Sequence, residues 1–213
     1  MIFEKLLKIV DAEPVFETGL LLAGDENPFD VRKQLSRWVN NGRIYQLRRG
    51  LYALAPPYQK TTPHPFLIAN RMVRGSYISC QSALAFYGLI PERVPLTISV
   101  STGRPGMWST PLGDFKFHHI APKLFTGYQL VNLTRDQQAF VASPEKALLD
   151  LVHLTTGGDD LAYLNEMRLQ NLEQINLNYL NMLGQRFEKP KLYRAATTIA
   201  ELVAEEIETF EII

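Results

Sequence analysis

The sequence predicts an α+β fold, in which a small N-terminal domain precedes a larger mixed domain that ends in helices. Three observations predict it. An amphipathic helical pattern over residues 28–40 runs directly into a short hairpin pattern over residues 44–54. Four prolines between residues 55 and 65 favour an extended linker, and strand-like and helical segments are mixed beyond it. The expected parts are a domain at 1–57, a linker at 58–65 and an α+β domain at 66–213.

The first 26 residues predict two supporting helices. Apolar residues recur between Ile2 and Val10, which predicts a helix that ends near Asp11. A second apolar run extends from Phe16 to Leu22, and the polar residues after Gly24 end it.

The segment after Asn27 predicts one longer amphipathic helix. Asn27 suits the N-cap, Pro28 suits the first helical position, and Gly42 suits a left-handed C-terminal cap. The apolar residues gather into one stripe: Val31, Leu35, Trp38 and Val39. At about 100° per residue, cationic and short polar side chains fall opposite that stripe: Lys33, Ser36, Arg37 and Asn40, with Arg32 at the border. One face is therefore suited to burial and the other to a polar ligand.

A tight hairpin is predicted next. Residues with strand propensity lie on both sides of its turn: Ile44, Tyr45, Leu47, Leu51, Tyr52 and Leu54. Gly50 can adopt positive φ, so Arg48 and Arg49 occupy the tip. Adjacent arginines repel each other and suit a position that faces phosphates or a minor groove. A charged turn that faces only solvent is the other interpretation.

Three helices and a hairpin within about sixty residues predict a winged helix-turn-helix domain, whose ligand is double-stranded DNA. Arginine pairs with guanine, asparagine with adenine, and serine with several base edges. We expect the helix at 28–40 to enter the major groove and the hairpin tip to hold the flanking backbone or minor groove. The predicted DNA-contacting residues are Arg32, Lys33, Ser36, Arg37, Asn40, Arg43, Arg48 and Arg49.

The distribution of charge supports this hypothesis, although the total charge does not. The whole chain has 22 basic and 22 acidic residues, so it is not a general polyanion binder. Residues 28–60 have a local charge of +6, whereas residues 1–27 have a local charge of −4. The basic charge is therefore concentrated on the segments expected to contact DNA.

Beyond the linker, the pattern predicts alternating kinds of structure. Helices are expected at 66–73, 82–87, 143–152, 159–169, 172–183 and 192–210, and strands at 96–101 and 115–120. Gly103, Pro105 and Gly106 predict a long loop that carries Trp108.

The composition excludes several classes of protein. The single cysteine, Cys80, excludes a disulfide framework and a cysteine-based zinc site, and it agrees with a reducing cytoplasm. No apolar run approaches the length of a membrane span. We expect a cytoplasmic protein without a cofactor, a metal or a membrane partner.

Three sequence motifs resemble those of a known family. They are Arg49–Leu54, the run Tyr77–Leu84 followed by Tyr87–Pro91, and Ala142–Asp150. In this order they resemble the AbiEi family of abortive-infection antitoxins, over roughly residues 1–154. The resemblance implies a winged-helix repressor of its own operon. It also implies that the C-terminal domain counteracts a nucleotidyltransferase-type toxin in phage defence, without a stable complex. A solitary regulator without a toxin partner would have the same motifs.

An enzyme is the next alternative, and we do not expect one. A metal-dependent nuclease fused to the DNA-binding domain would need a carboxylate and a lysine separated by one residue on one strand. Glu145 and Lys146 are adjacent and predicted to be helical, and Asp114 is remote from them in sequence. His118 and His119 would face opposite sides of a strand, so a shared metal is not expected.

The C-terminal segment suggests a third class, a protein-interaction module. Its predicted helix has an apolar stripe: Ile199, Leu202, Val203, Ile207 and Phe210. Residues 195–213 contain five glutamates and no basic residue. A solvated acidic face is the simpler interpretation, and docking to a partner is the alternative.

Overall fold

In the N-terminal part of the chain, two short helices support one longer helix and a small sheet. A computed structural model describes residues 1–23, 26–134 and 136–211, and the side chains of the last helix as far as Ala204. The first elements are α1 (Phe3–Val10), β1 (Phe16–Glu17), α2 (Thr18–Leu21), α3 (Pro28–Asn40), β2 (Ile44–Arg48) and β3 (Leu51–Leu54). The predicted stop at Gly24 and Asp25 lies outside the described residues.

Helix α3 begins and ends close to its predicted limits. The Asn27 side chain accepts a hydrogen bond from the backbone N–H of Phe29 at 2.9 Å, which caps the helix. Pro28 is the first helical residue, and Asn41 rather than Gly42 is the C-cap. Gly42 follows with a φ of 66°. The buried face consists of Val31, Leu35 and Trp38, and Val39, the fourth residue of the predicted stripe, is half-buried.

The small sheet is antiparallel, with the strand order β1-β3-β2. Its residues and those of α1 and α3 form one apolar cluster, in which the Phe3 ring contacts Trp38 edge-on at 5.3 Å between centroids. The same ring meets Tyr58, just beyond the hairpin, at 4.8 Å. This cluster holds α3 against the sheet and fixes which face of the helix remains exposed.

The rest of the chain forms a second, larger sheet with helices packed on it. Its elements are α4 (Pro65–Met72), β4 (Ser76–Ile78), α5 (Cys80–Phe86), β5 (Leu96–Ser101), β6 (Gly106–Thr110), β7 (Gly113–His119), β8 (Tyr128–Thr134), β9 (Gln137–Ala142), α6 (Pro144–Leu154), α7 (Leu161–Glu166), α8 (Leu177–Arg186) and α9 (Pro190–Glu211). Short 3₁₀ helices lie at Pro122–Leu124 and Leu172–Gln174. The coarse α+β prediction is thus confirmed.

The larger sheet is mixed and has six strands, in the order β6-β7-β5-β4-β9-β8. The central strand, β4, is antiparallel to β5 and parallel to β9. The edge strands β6 and β8 are each antiparallel to their neighbours. Buried residues of the sheet and of α4, α5, α6, α8 and α9 belong to one apolar cluster.

Several elements differ from the sequence predictions. The predicted loop around Trp108 is strand β6, and β4, β8 and β9 were not predicted at all. Along both edge strands exposed residues alternate with half-buried residues rather than with fully buried ones, so the signal of a strand is weaker there. The last members of the predicted C-terminal stripe, Ile207 and Phe210, and the glutamates from 205 onward lie outside the described side chains.

The linker is tied to both parts of the chain. The Lys60 ammonium forms an ion pair with Asp11 at 2.5 Å, and the Gln137 side chain bonds the backbone of Thr62 and of His64. His64 itself caps α4, because its Nδ1 accepts a hydrogen bond from the N–H of Phe66 at 3.1 Å. None of the described helices has the length and the hydropathy that crossing a membrane requires.

Candidate nucleic-acid interface

The outer face of α3 brings together five of the eight predicted DNA-contacting residues. All five have exposed side chains: Arg32, Lys33, Ser36, Arg37 and Asn40. They can be exposed together because Val31, Leu35 and Trp38 bury the opposite side of the helix. The face combines long cationic donors with a hydroxyl and an amide, which are the groups that bond phosphates and base edges.

The cations of this face are not neutralised by carboxylates. Among the described residues, Arg32, Lys33 and Arg37 have no acidic partner within ion-pair distance, and neither has Arg49. Asp30, in the first turn of α3, is exposed and forms no ion pair with them.

Three ion pairs account for much of the acidic charge in the first 27 residues. Glu26 pairs with Lys5 at 2.6 Å, Glu17 pairs with Arg74 at 2.7 Å, and Asp11 pairs with Lys60. A hydrogen bond from Lys5 lowers the pKa of Glu26, and one from Lys60 lowers that of Asp11. All three carboxylates are paired with cations outside α3.

Arg43 has a different environment from the α3 residues. It lies between α3 and β2 and is half-buried, with its guanidinium carbon 4.9 Å from the centroid of the Phe3 ring. A cation over an aromatic face is stabilised there. Arg43 therefore helps to hold α1 against the end of α3, in addition to any contact with DNA.

Arg48 departs furthest from its predicted role. Its guanidinium donates a hydrogen bond to the carbonyl oxygen of Met72, at the end of α4. The same group lies 5.1 Å from the centroid of the Trp108 ring, on the edge strand β6. The sequence prediction placed this side chain on DNA, whereas the structure places it in a contact between the hairpin and the second part of the chain.

The whole hairpin tip shares this contact. Leu47, Leu51 and Ala53 are buried in the apolar cluster of the larger sheet. The carbonyl oxygen of Gly50, whose φ is 84°, accepts a hydrogen bond from the N–H of Thr18 at 2.9 Å. Only Arg49 of the paired arginines remains exposed without a partner among the described residues. The turn is thus packed against the protein, and one cation projects from it.

A second polar cluster lies in the core of the larger domain. Asp150, on α6, accepts hydrogen bonds from Tyr77 at 2.9 Å and from Ser79 at 2.7 Å, and it forms an ion pair with Lys146. The Lys146 ammonium also lies 5.0 Å from the centroid of the Phe187 ring. Lys146 and Asp150 are each about 1% exposed, so the charges depend on each other.

Burial has large effects on the titratable groups around this cluster. Burial, with the Asp150 charge beside it, raises the pKa of Tyr77 well above its usual range. Burial likewise raises the pKa of Cys80, which is neutral and inert as a nucleophile. The cluster links strand β4 to helix α6 and is a structural feature of the core. The sequence analysis considered Lys146 as part of a nuclease site and did not predict its pairing with Asp150.

The residues considered for a nuclease do not come together. Glu145 is buried and accepts a hydrogen bond from the N–H of Asn176 at 2.7 Å, and Lys146 is paired as above. Asp114 and Lys116 do have the required spacing on strand β7, which the sequence reasoning missed. In the described part of the chain, however, no three side chains of His, Cys, Asp or Glu are grouped as metal ligands.

One exposed residue of α3 was also missed. Phe29 is 73% exposed, and its periodicity places it on the outer face with Lys33, Ser36 and Asn40. The sequence contained this signal, because Phe29 and Ser36 are seven residues apart and therefore lie on nearly the same side of the helix, opposite the apolar stripe.

Comparison with known proteins does not assign the chain to a family. No family model matches the sequence, and no curated protein matches it at a significant level.

Proposed function

We propose that this chain is a sequence-specific DNA-binding protein whose N-terminal part is a winged helix-turn-helix and whose recognition helix is α3. One observation carries the proposal: α3 presents three cations, a hydroxyl and an amide on a single exposed face, and the described acidic residues leave those cations unpaired. A solvated face needs no such concentration of cations. DNA needs both phosphate and base contacts.

The order of elements supports the proposed fold of this part. Three helices are followed by a hairpin, and β1 joins the hairpin to give the strand order β1-β3-β2. In a winged helix-turn-helix, the helix before the hairpin enters the major groove. Here that helix is α3, whose buried stripe fixes it on the sheet.

The proposed contact set is narrower than the one expected from sequence. Arg32, Lys33 and Arg37 contact phosphates, and Ser36 and Asn40 contact base edges. Arg49 contacts the flanking backbone. Arg48 is left out because Met72 and Trp108 already engage its guanidinium, and Arg43 contributes chiefly by positioning α3 through Phe3.

Selection from a random duplex library with the full chain tests this proposal. We expect one enriched motif, protected in footprinting, because base-edge donors on one helix discriminate between sequences. A variant with Arg32, Lys33 and Arg37 changed to Gln should enrich nothing. A matched variant with Arg93, Arg104 and Arg186 changed to Gln loses the same charge from other exposed positions and should enrich the same motif. Equal enrichment by both variants would exclude α3 as the recognition helix.

We further propose that the chain represses its own operon and acts as an antitoxin to a nucleotidyltransferase-type toxin. The resemblance of its three motifs to the AbiEi family supports this role. The gene beside it supplies the test, because a toxin gene there distinguishes an antitoxin from a solitary regulator. Co-expression of the chain should restore growth that the toxin stops, and failure to restore it would leave DNA binding as the whole function.

A further inference from the structure

The exposed aromatic ring on α3 is the feature that DNA binding by polar groups does not explain. Phe29 is the most exposed of the large apolar side chains in the described residues, at 73%. Burial of an aromatic side chain stabilises a protein, and the folded chain gains little of that stabilisation from this exposed ring. It is also the second residue of the helix, directly after Pro28.

The position of the ring relates it to the proposed DNA contacts. At about 100° per residue, Phe29 lies within the same face as Lys33, Ser36 and Asn40, on the side opposite the buried Val31 and Leu35. The N-terminal residues of a recognition helix reach deepest into the major groove. The ring therefore shares a face with groups suited to phosphates and base edges, and it lies at the N-terminal end of the helix, beside the exposed Asp30.

We propose that Phe29 is a specificity-determining residue that packs against the C5-methyl group of a thymine. The thymine methyl is the one apolar group that a base pair exposes in the major groove, and apolar side chains recognise thymine through it. This inference rests on the proposed function, because it requires α3 to enter the groove. It deepens that function by naming the chemistry at one base pair of the operator.

The charged neighbours favour DNA over a protein partner for this ring. Lys33 and Arg32, one helical turn beyond Phe29, are exposed cations without carboxylate partners among the described residues. An apolar protein interface on this face would have to bury them, which costs free energy unless acidic groups pair with them. Phosphates on both sides of a major groove supply that pairing.

Replacement of single thymines by deoxyuridine tests the proposal, since this change removes only the C5-methyl group. The duplex is the motif selected by the full chain, and each thymine under α3 is replaced in turn. We expect one position at which the unsubstituted chain binds about fourfold more weakly, the fold-change that corresponds to about 0.8 kcal/mol for one buried methyl-sized group. Phe29→Ala should bind the thymine and deoxyuridine duplexes equally.

Controls separate this proposal from the one on which it rests. Leu20→Ala removes another exposed apolar side chain, 43% exposed and outside α3, and should keep the fourfold difference. Phe29→Leu should keep part of it. Two results would show that Phe29 does not contact the methyl group. In the first, the chain binds its motif but replacing any thymine by deoxyuridine leaves the affinity unchanged. In the second, Phe29→Ala still binds the deoxyuridine duplex about fourfold more weakly than the thymine duplex. Altered sedimentation of Phe29→Ala with unchanged thymine dependence would assign the ring to contacts between copies of the chain. Absence of binding to any duplex would overturn DNA binding itself.

Discussion

The buried pair of Lys146 and Asp150 should make the larger domain highly sensitive to one substitution. Asp150→Ala removes the only carboxylate that contacts the Lys146 ammonium among the described residues, and it also takes the acceptor from the hydroxyls of Tyr77 and Ser79. Loss of one partner of a buried ion pair costs about 3–5 kcal/mol. For a chain of this size each kcal/mol lowers the midpoint by about 2–4 °C, so the expected fall is about 6–20 °C.

Thermal unfolding followed by circular dichroism measures this fall. Glu92→Ala is the matched control, because it removes a carboxylate from the exposed pair with Arg168, and its midpoint should stay within the scatter of the measurement. Combining Asp150→Leu with Lys146→Met should recover part of the loss, since no charge is then left buried without a partner. If Asp150→Ala and Glu92→Ala unfold at the same temperature, the inference that the buried pair holds β4 to α6 is wrong.

Three further outcomes are expected. Arg48→Ala should lower the free energy of unfolding by about 1–2 kcal/mol through loss of the Met72 hydrogen bond and the Trp108 contact. Arg49→Ala should leave stability unchanged and weaken DNA binding. The opposite pattern would show that Arg48, and not Arg49, contacts DNA. Burial lowers the pKa of His64, so its contribution to stability should be complete above about pH 6.5 and lost as the pH falls through the lower folded-state pKa. His64→Asn keeps an N-cap acceptor and should reduce the pH dependence of the unfolding midpoint. An unchanged pH profile would contradict this role of His64. Supercoiled plasmid should stay intact when it is incubated with the chain and Mg²⁺, because in the described residues Asp114 and Lys116 belong to no group of side chains that could hold a metal. Nicking of the plasmid that Asp114→Asn abolishes would instead show a nuclease.

The sequence allowed α3 to be predicted almost completely, because the spacing of apolar residues in an amphipathic helix indicates which face is buried. The spacing of Val31, Leu35 and Trp38 determined which residues are buried and hence which five polar side chains share the exposed face. Asn27 and Pro28 marked its beginning because both act within the first turn. Features set by neighbouring residues were therefore predictable.

Features set by distant residues were not. Arg48 meets a carbonyl oxygen 24 residues later in the chain and a tryptophan on an edge strand, and no local pattern indicates either contact. Asp150 accepts hydrogen bonds from residues 71 and 73 positions earlier, which only the parallel pairing of β4 with β9 brings near α6. The edge strands β6 and β8 were missed because their inward-facing residues are only half-buried, which weakens the alternation that predicts a strand.

The salt dependence of DNA binding tests the central claim most directly. Four exposed cations, Arg32, Lys33, Arg37 and Arg49, have no acidic partner among the described residues, and each phosphate contact contributes about −0.9 to the slope of log K against log salt concentration. The full chain should therefore show a slope of about −3.6 on its selected duplex. Changing Arg32, Lys33 and Arg37 to Gln should leave a slope of about −0.9, and changing Arg93, Arg104 and Arg186 to Gln should leave it at about −3.6. Equal slopes for the two triple variants would contradict DNA binding through α3.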